Sequence, residues 1–182
     1  MVAEVAGVVL AGGQSRRMGC DKSELEISGV SLTNHAFNIL NQAGIKEVFI
    51  SGKKGIQDQQ KNKGPLAGIV ASLDFLKSFK FVLFTTVDMP LLNKHVFHQL
   101  ISHQNSKAVY IEKHFFPLLI CNSEINRNCI NQQLNNENLS IKNLLKQLCA
   151  ESLHNPFESD VFLNANTNAD WLKVLEITGQ TG

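Results

Sequence analysis

Two hydrophobic periodicities take turns along this chain, and that alternation restricts its fold more than any other feature. Residues 5–10 are a short, valine-rich apolar run that breaks into small residues, as a strand buried on both faces requires. Residues 31–43 then set Leu32, Ala36, Phe37 and Leu40 on one helical face, with Ser31 suited to cap the start and Gly44 to stop the end. The alternation repeats with residues 47–50 as strand, a stripe of Leu66, Ile69, Val70, Leu73 and Leu76 as helix, and residues 80–86 (KFVLFTT) as a central strand. Residues 93–103 read as helix, 107–112 and 115–121 as strands, the asparagine-rich stretch to Gln147 as helical, 161–163 as a last strand and 170–177 as a last helix. This order predicts an α/β chain with an open, mostly parallel, doubly wound (Rossmann-like) sheet and right-handed crossovers. Ligands of such sheets sit beyond the carboxyl ends of the strands, so the loops after strands carry the functional information.

At 182 residues and 43% hydrophobic, the chain fits one domain over residues 1–182 with a sizeable core. Its 17 basic and 16 acidic residues leave a formal charge of +1, which provides no overall field for nucleic acid or a membrane surface. Cys20, Cys121, Cys129 and Cys149 form no CxxC pair and read as reduced thiols, and the six histidines form no ligand pattern. There is no secretory opening and no apolar run near the ~20 residues that span a bilayer, so a cytoplasmic location is expected. Residues 52–63 (GKKGIQDQQKNK) are polar and read as a mobile surface loop.

The densest stretch is residues 8–22, VVLAGGQSRRMGCDK, where a buried strand opens into Ala11, Gly12 and Gly13 and then into Arg16, Arg17 and Lys22. Small residues let the backbone approach a phosphate, converging N–H groups form an anion nest, and the cations offset triphosphate charge. A bare Gly-Gly pair would favour a tight strand-to-helix turn; the cations reverse that preference toward phosphate. Neither GxGxxG nor GxxxxGK[ST] occurs, which argues against a dinucleotide dehydrogenase and a P-loop ATPase.

Asp88 comes after the central strand and precedes Met89-Pro90, so it should emerge at the carboxyl edge beside the glycine loop. Magnesium is commonly held by one or two carboxylates plus phosphate oxygens and water, which a single aspartate facing a triphosphate can supply. The alternative is an aspartate capping the turn at Pro90.

LAGGQSRRMGCDK resembles the LAGGxSxRMGxDK motif of the molybdenum cofactor guanylyltransferases and their close relatives. GPLAGI at residues 64–69, VDMP at 87–90 and NANT at 164–167 come in the order that family uses, so the resemblance spans nearly the whole chain. It implies a nucleotidyltransferase fold and Mg²⁺-dependent transfer of GMP from GTP to molybdopterin with release of pyrophosphate, with other cofactor-maturation proteins as further partners. By residue matches, Leu10, Ala11, Gly12 and Gly13 would cradle the nucleotide, and Gly64, Pro65, Leu66 and Gly68 would pass close to its base and ribose. Arg17 and Lys22 would neutralise phosphates, and Asp88 would hold the metal with Asn166, Asn164 being the weaker partner. The chain departs from the family after the second strand, where Ser51-Gly52-Lys53-Lys54 and a short lysine- and glutamine-rich loop replace an asparagine-containing segment, a further strand and an acidic residue. A cytidylyl- or sugar-phosphate nucleotidyltransferase and a non-catalytic nucleotide or pterin carrier therefore stay open as alternatives.

Overall fold

The structure is a computed structural model, and it describes residues 4–11, 25–52, 55–58, 60 and 63–180. Its centre is a six-stranded sheet. Strands β1 (Val5–Leu10), β4 (Val48–Ser51) and β5 (Phe81–Thr86) pair in parallel with β1 in the middle. Beyond β5 come β7 (Leu118–Cys121), β6 (Ala108–Ile111) and β8 (Glu151–Leu153), giving the order β4-β1-β5-β7-β6-β8. Among these strands β7 alone is antiparallel to its neighbours, so the sheet is mostly parallel as the alternation predicts. Strand β7 returns directly from β6, a connection too short for a helix, and this is why one strand reverses.

Crossover helices cover both faces. Helix α1 (Leu32–Gln42) packs with α3 (Lys94–Ile101), and α2 (Gly64–Phe75) packs with α4 (Glu124–Asn135), which α5 (Ile141–Gln147) adjoins. The core strands are consequently sealed on both sides: Val8, Val82, Leu83 and Phe84 are fully buried. Sequence signals set the helix starts: Ser31, Asn93, Ser123 and Ser140 each accept a hydrogen bond from a first-turn N–H. Gly44 stands just past α1 at φ +84, a conformation that glycine adopts without strain.

Two expectations need correction and a third, the helical asparagine-rich region, holds with a break in it. Residues 161–163 are not a strand: Ser159–Phe162 is a 3₁₀ turn, and the edge beyond β6 is taken by β8. The apolar character there serves burial of Phe162, whose ring stacks on His114 at 3.9 Å. The asparagine-rich region is two helices, because Gln133 turns its amide to the carbonyls of Asn138 and Ser140 and fixes a break between them. Part of the polar loop is folded onto β4, with Gly52 N–H donating to Ile56 O and Ile56 N–H to Ile50 O. The structure also adds a hairpin, β2 (Glu26–Ile27) and β3 (Val30–Ser31), whose turn places Ser28 at φ +52 and Gly29 at φ +74. Positive φ at both turn positions is the I′ geometry that matches strand twist.

A second apolar cluster forms where the hairpin meets the C-terminal helix α6 (Asn168–Ile177). Ile27, Leu32, Ala165 and Val174 are its buried members, with Leu25, Val87, Leu91, Leu163 and Trp171 packed around them.

A candidate active site at the carboxyl edge of the sheet

Parallel pairing places three strand tips in one row. Leu10 is in register with Ser51 on one side and Thr86 on the other, and Ala11 N–H donates to Ser51 O at 2.9 Å. Leu10 is buried and closes the core, while Ala11 begins the loop. Gly12, Gly13, Arg17 and Lys22 lie outside the described residues. The chain is described again at Leu25, whose carbonyl accepts from Leu32 N–H.

The start of α2 reaches the same edge. Gly64 takes φ +65, Pro65 occupies the first turn, and both are exposed. Among the described residues no side chain caps this end, and no acid stands in its first turn, so its N–H groups present the partial positive end of the helix. Lys63 extends instead to Glu137 at 2.6 Å; that hydrogen bond, and the ammonium charge behind it, hold the Glu137 carboxyl below the usual carboxylate range. Leu66 is fully buried in the core. At Gly68 an added Cβ would stand 2.9 Å from Ser51 Oγ and 3.1 Å from Leu10 Cδ2, so glycine here lets the helix pack tightly on the tips of β1 and β4. Leu66 and Gly68 thus offer a ligand only their backbone.

Asp88 emerges two residues past β5. Its carbonyl accepts from Ala165 N–H at 2.8 Å, which joins the two segments singled out in the sequence. Its Oδ1 is buried and has no hydrogen-bond partner among the described residues, and neither does Thr86 Oγ1 at the strand tip. Buried polar atoms are normally satisfied, so a buried carboxylate oxygen without a partner among the described residues suits a hard cation. Turn capping does not engage Oδ1. No group of three or more His, Cys, Asp or Glu among the described residues is placed to hold a metal, so a cation at Asp88 would rely on one carboxylate, phosphate oxygens and water.

Asn164 and Asn166 flank Ala165. Asn164 Nδ2 donates to Phe162 O at 3.4 Å, and Asn166 N–H donates to Asn164 O and to Asp170 Oδ2. Thr167 and Asp170 form a reciprocal capping box, so the NANT segment is also the start of α6. The contact between His35 Nε2 and Pro90 O, 2.8 Å, escapes sequence reasoning because the partners lie 55 residues apart. Surface depressions of about 440 and 540 Å³ lie elsewhere, one lined by Glu4, Lys80 and Asn122, the other between α2 and α4, and neither includes Asp88.

The profile of the MobA-like NTP transferase domain matches residues 7–152. The molybdenum cofactor guanylyltransferase of Xanthomonas euvesicatoria is 34% identical over 118 residues, 63% of this chain and 62% of that one. The chain thus spans less than two thirds of that relative, whereas a probable molybdenum cofactor guanylyltransferase of Natranaerobius thermophilus aligns over 100% of both chains at 26% identity. The crystal structure of molybdopterin-guanine dinucleotide biosynthesis protein A from Archaeoglobus fulgidus superposes with TM-score 0.77 at 20% identity, covering 97% of this chain and 100% of that one, a likeness of fold. A profile match from the first core strand to the last, over a site built where the fold places it, means that the chain belongs to the MobA-like NTP transferase domain family of nucleotidyltransferases.

Proposed function

We propose that this chain transfers GMP from GTP to molybdopterin, as one cytoplasmic domain over residues 1–182 that depends on Mg²⁺. The observation that carries the reading is Asp88, whose buried Oδ1 has no hydrogen-bond partner among the described residues, pinned by Ala165 at the edge where the tips of β1, β4 and β5 and the start of α2 converge. A phosphate oxygen of the acceptor forms the new bond to the α-phosphorus of GTP while the bond to pyrophosphate breaks. That oxygen already carries negative charge, so the protein mainly aligns the reactants and offsets charge. Leu10, Ala11, Gly12 and Gly13, with Gly64, Pro65, Leu66 and Gly68, hold the nucleotide largely through backbone groups; Arg17 and Lys22 meet its phosphates. Asp88 and Asn166 would hold a magnesium ion, which when bound would neutralise phosphate charge. The product passes to other cofactor-maturation proteins.

Calorimetric titration with GTP, CTP and ATP, each with and without Mg²⁺, tests this. Selective, Mg²⁺-enhanced GTP binding that Asp88→Asn abolishes is the expected result. CTP preference would move the chain to the cytidylyl group, and an Asp88→Asn protein with unchanged Mg²⁺ response would overturn the metal assignment.

A further inference from the structure

The Asp88 loop is held from two sides. On one side the Ala165 N–H grips the Asp88 carbonyl at 2.8 Å. On the other the half-buried imidazole of His35, one turn into α1, meets the Pro90 carbonyl at 2.8 Å. A carbonyl can only accept, so Nε2 carries the proton and donates. Between these pins Leu92 N–H closes a turn onto Met89 O at 3.3 Å, and Val87 and Leu91 sit in the second apolar cluster with Leu32, which also lies on α1. Asp88 itself makes no hydrogen bond through Oδ1 among the described residues. The direction of its carboxylate is therefore set by the backbone around it.

We propose that His35 is a positioning residue: by fixing the Pro90 carbonyl it aims the Asp88 carboxylate at the metal of a bound nucleoside triphosphate. This rests on the reading of Asp88 as metal ligand. His35 touches neither substrate nor metal.

Atom placement decides the test. Glutamine puts an amide nitrogen where Nε2 stands, while asparagine mimics only Nδ1 and falls short of Pro90. The readout is calorimetric GTP affinity with and without Mg²⁺, together with hydrogen–deuterium exchange over residues 87–92. His35→Asn and His35→Leu are expected to reduce the Mg²⁺-dependent gain in GTP affinity about five- to tenfold, the scale of one lost hydrogen bond. They should speed exchange in that segment alone and leave Mg²⁺-free affinity unchanged; His35→Gln should keep the gain within about twofold. A full gain in His35→Asn, or a His35→Gln variant as impaired as His35→Leu, overturns the proposal. Asp88→Asn separates the two readings: if it keeps the gain, the metal assignment fails and this inference falls with it, whereas loss in Asp88→Asn with none in His35→Asn removes His35 alone.

Discussion

Asn122 binds three elements at the edge of the sheet opposite the active site, and its replacement gives a sharp test of the packing. The residue sits just after β7, is 6% exposed, and donates from Nδ2 to Leu73 O at 3.2 Å and Leu76 O at 2.8 Å at the C-terminal end of α2, where Leu76 O also accepts from Phe79 N–H at 3.0 Å. Its Oδ1 accepts from Arg127 Nη1 at 3.2 Å, and its backbone is held separately by Lys80 O and by Arg127. Asn122→Ala removes two neutral donor bonds worth about 1 kcal/mol each. Leu76 O keeps its bond from Phe79 N–H, and a depression of about 440 Å³ borders Asn122 itself, which keeps the loss near 2 kcal/mol rather than higher. Asn122→Asp preserves shape but turns a carboxylate oxygen toward two carbonyls, so it should be the worse variant, by about 3 kcal/mol relative to wild type even with Arg127 nearby. For a chain of this length those losses correspond to about 4–12 °C in Tm, measurable by calorimetry beside urea denaturation. An Asn122→Asp protein as stable as wild type, or more stable than Asn122→Ala, would refute the donor role.

Gly68→Ala should destabilise by about 1 kcal/mol, since crowding against Ser51 Oγ and Leu10 outweighs the gain in helix propensity, and adding Ser51→Ala should recover most of the loss in a urea double-mutant cycle. The stacked His114 is held below the ordinary imidazole range, first by burial and then by the Lys113 charge. Its unfolded form therefore binds more protons, so this contribution to stability is complete above the ordinary imidazole pKa and fades as pH falls through it. His114→Phe should flatten stability against pH between about 7 and 5, as urea midpoints across that range will show.

Legibility in the sequence tracks the range of the interactions involved. The parallel core and the cap at Ser31 are readable because periodicity and capping are local. Asp88 and residues 164–167 are readable separately, by position after a strand and by motif; the 2.8 Å bond between them is not, since it is set by how the second apolar cluster packs. The strand expected at 161–163 is absent because three apolar residues signal burial without saying against what, and here the partner is a histidine ring rather than a sheet. The I′ hairpin has a local signal in Ser28-Gly29 between β-formers, but strands of only two residues are too short to show a period.

The matched family profile ends at residue 152, yet the site depends on the segment beyond it. Without residues 163–174 the second cluster loses Leu163, Ala165, Trp171 and Val174, leaving Val87 and Leu91 of the Asp88 loop, and Leu25 and Ile27 beyond the glycine loop, without their cover. Gln180 extends the same brace, its amide nitrogen donating to Ser28 Oγ at 2.7 Å while its oxygen accepts from Ser28 N–H at 2.9 Å. The Asp88 loop and the β2–β3 hairpin are thus braced by one C-terminal unit, whose helix start is fixed by the Thr167–Asp170 capping box. The sheet supplies the edge, and α6 with the NANT turn holds the Asp88 loop against it.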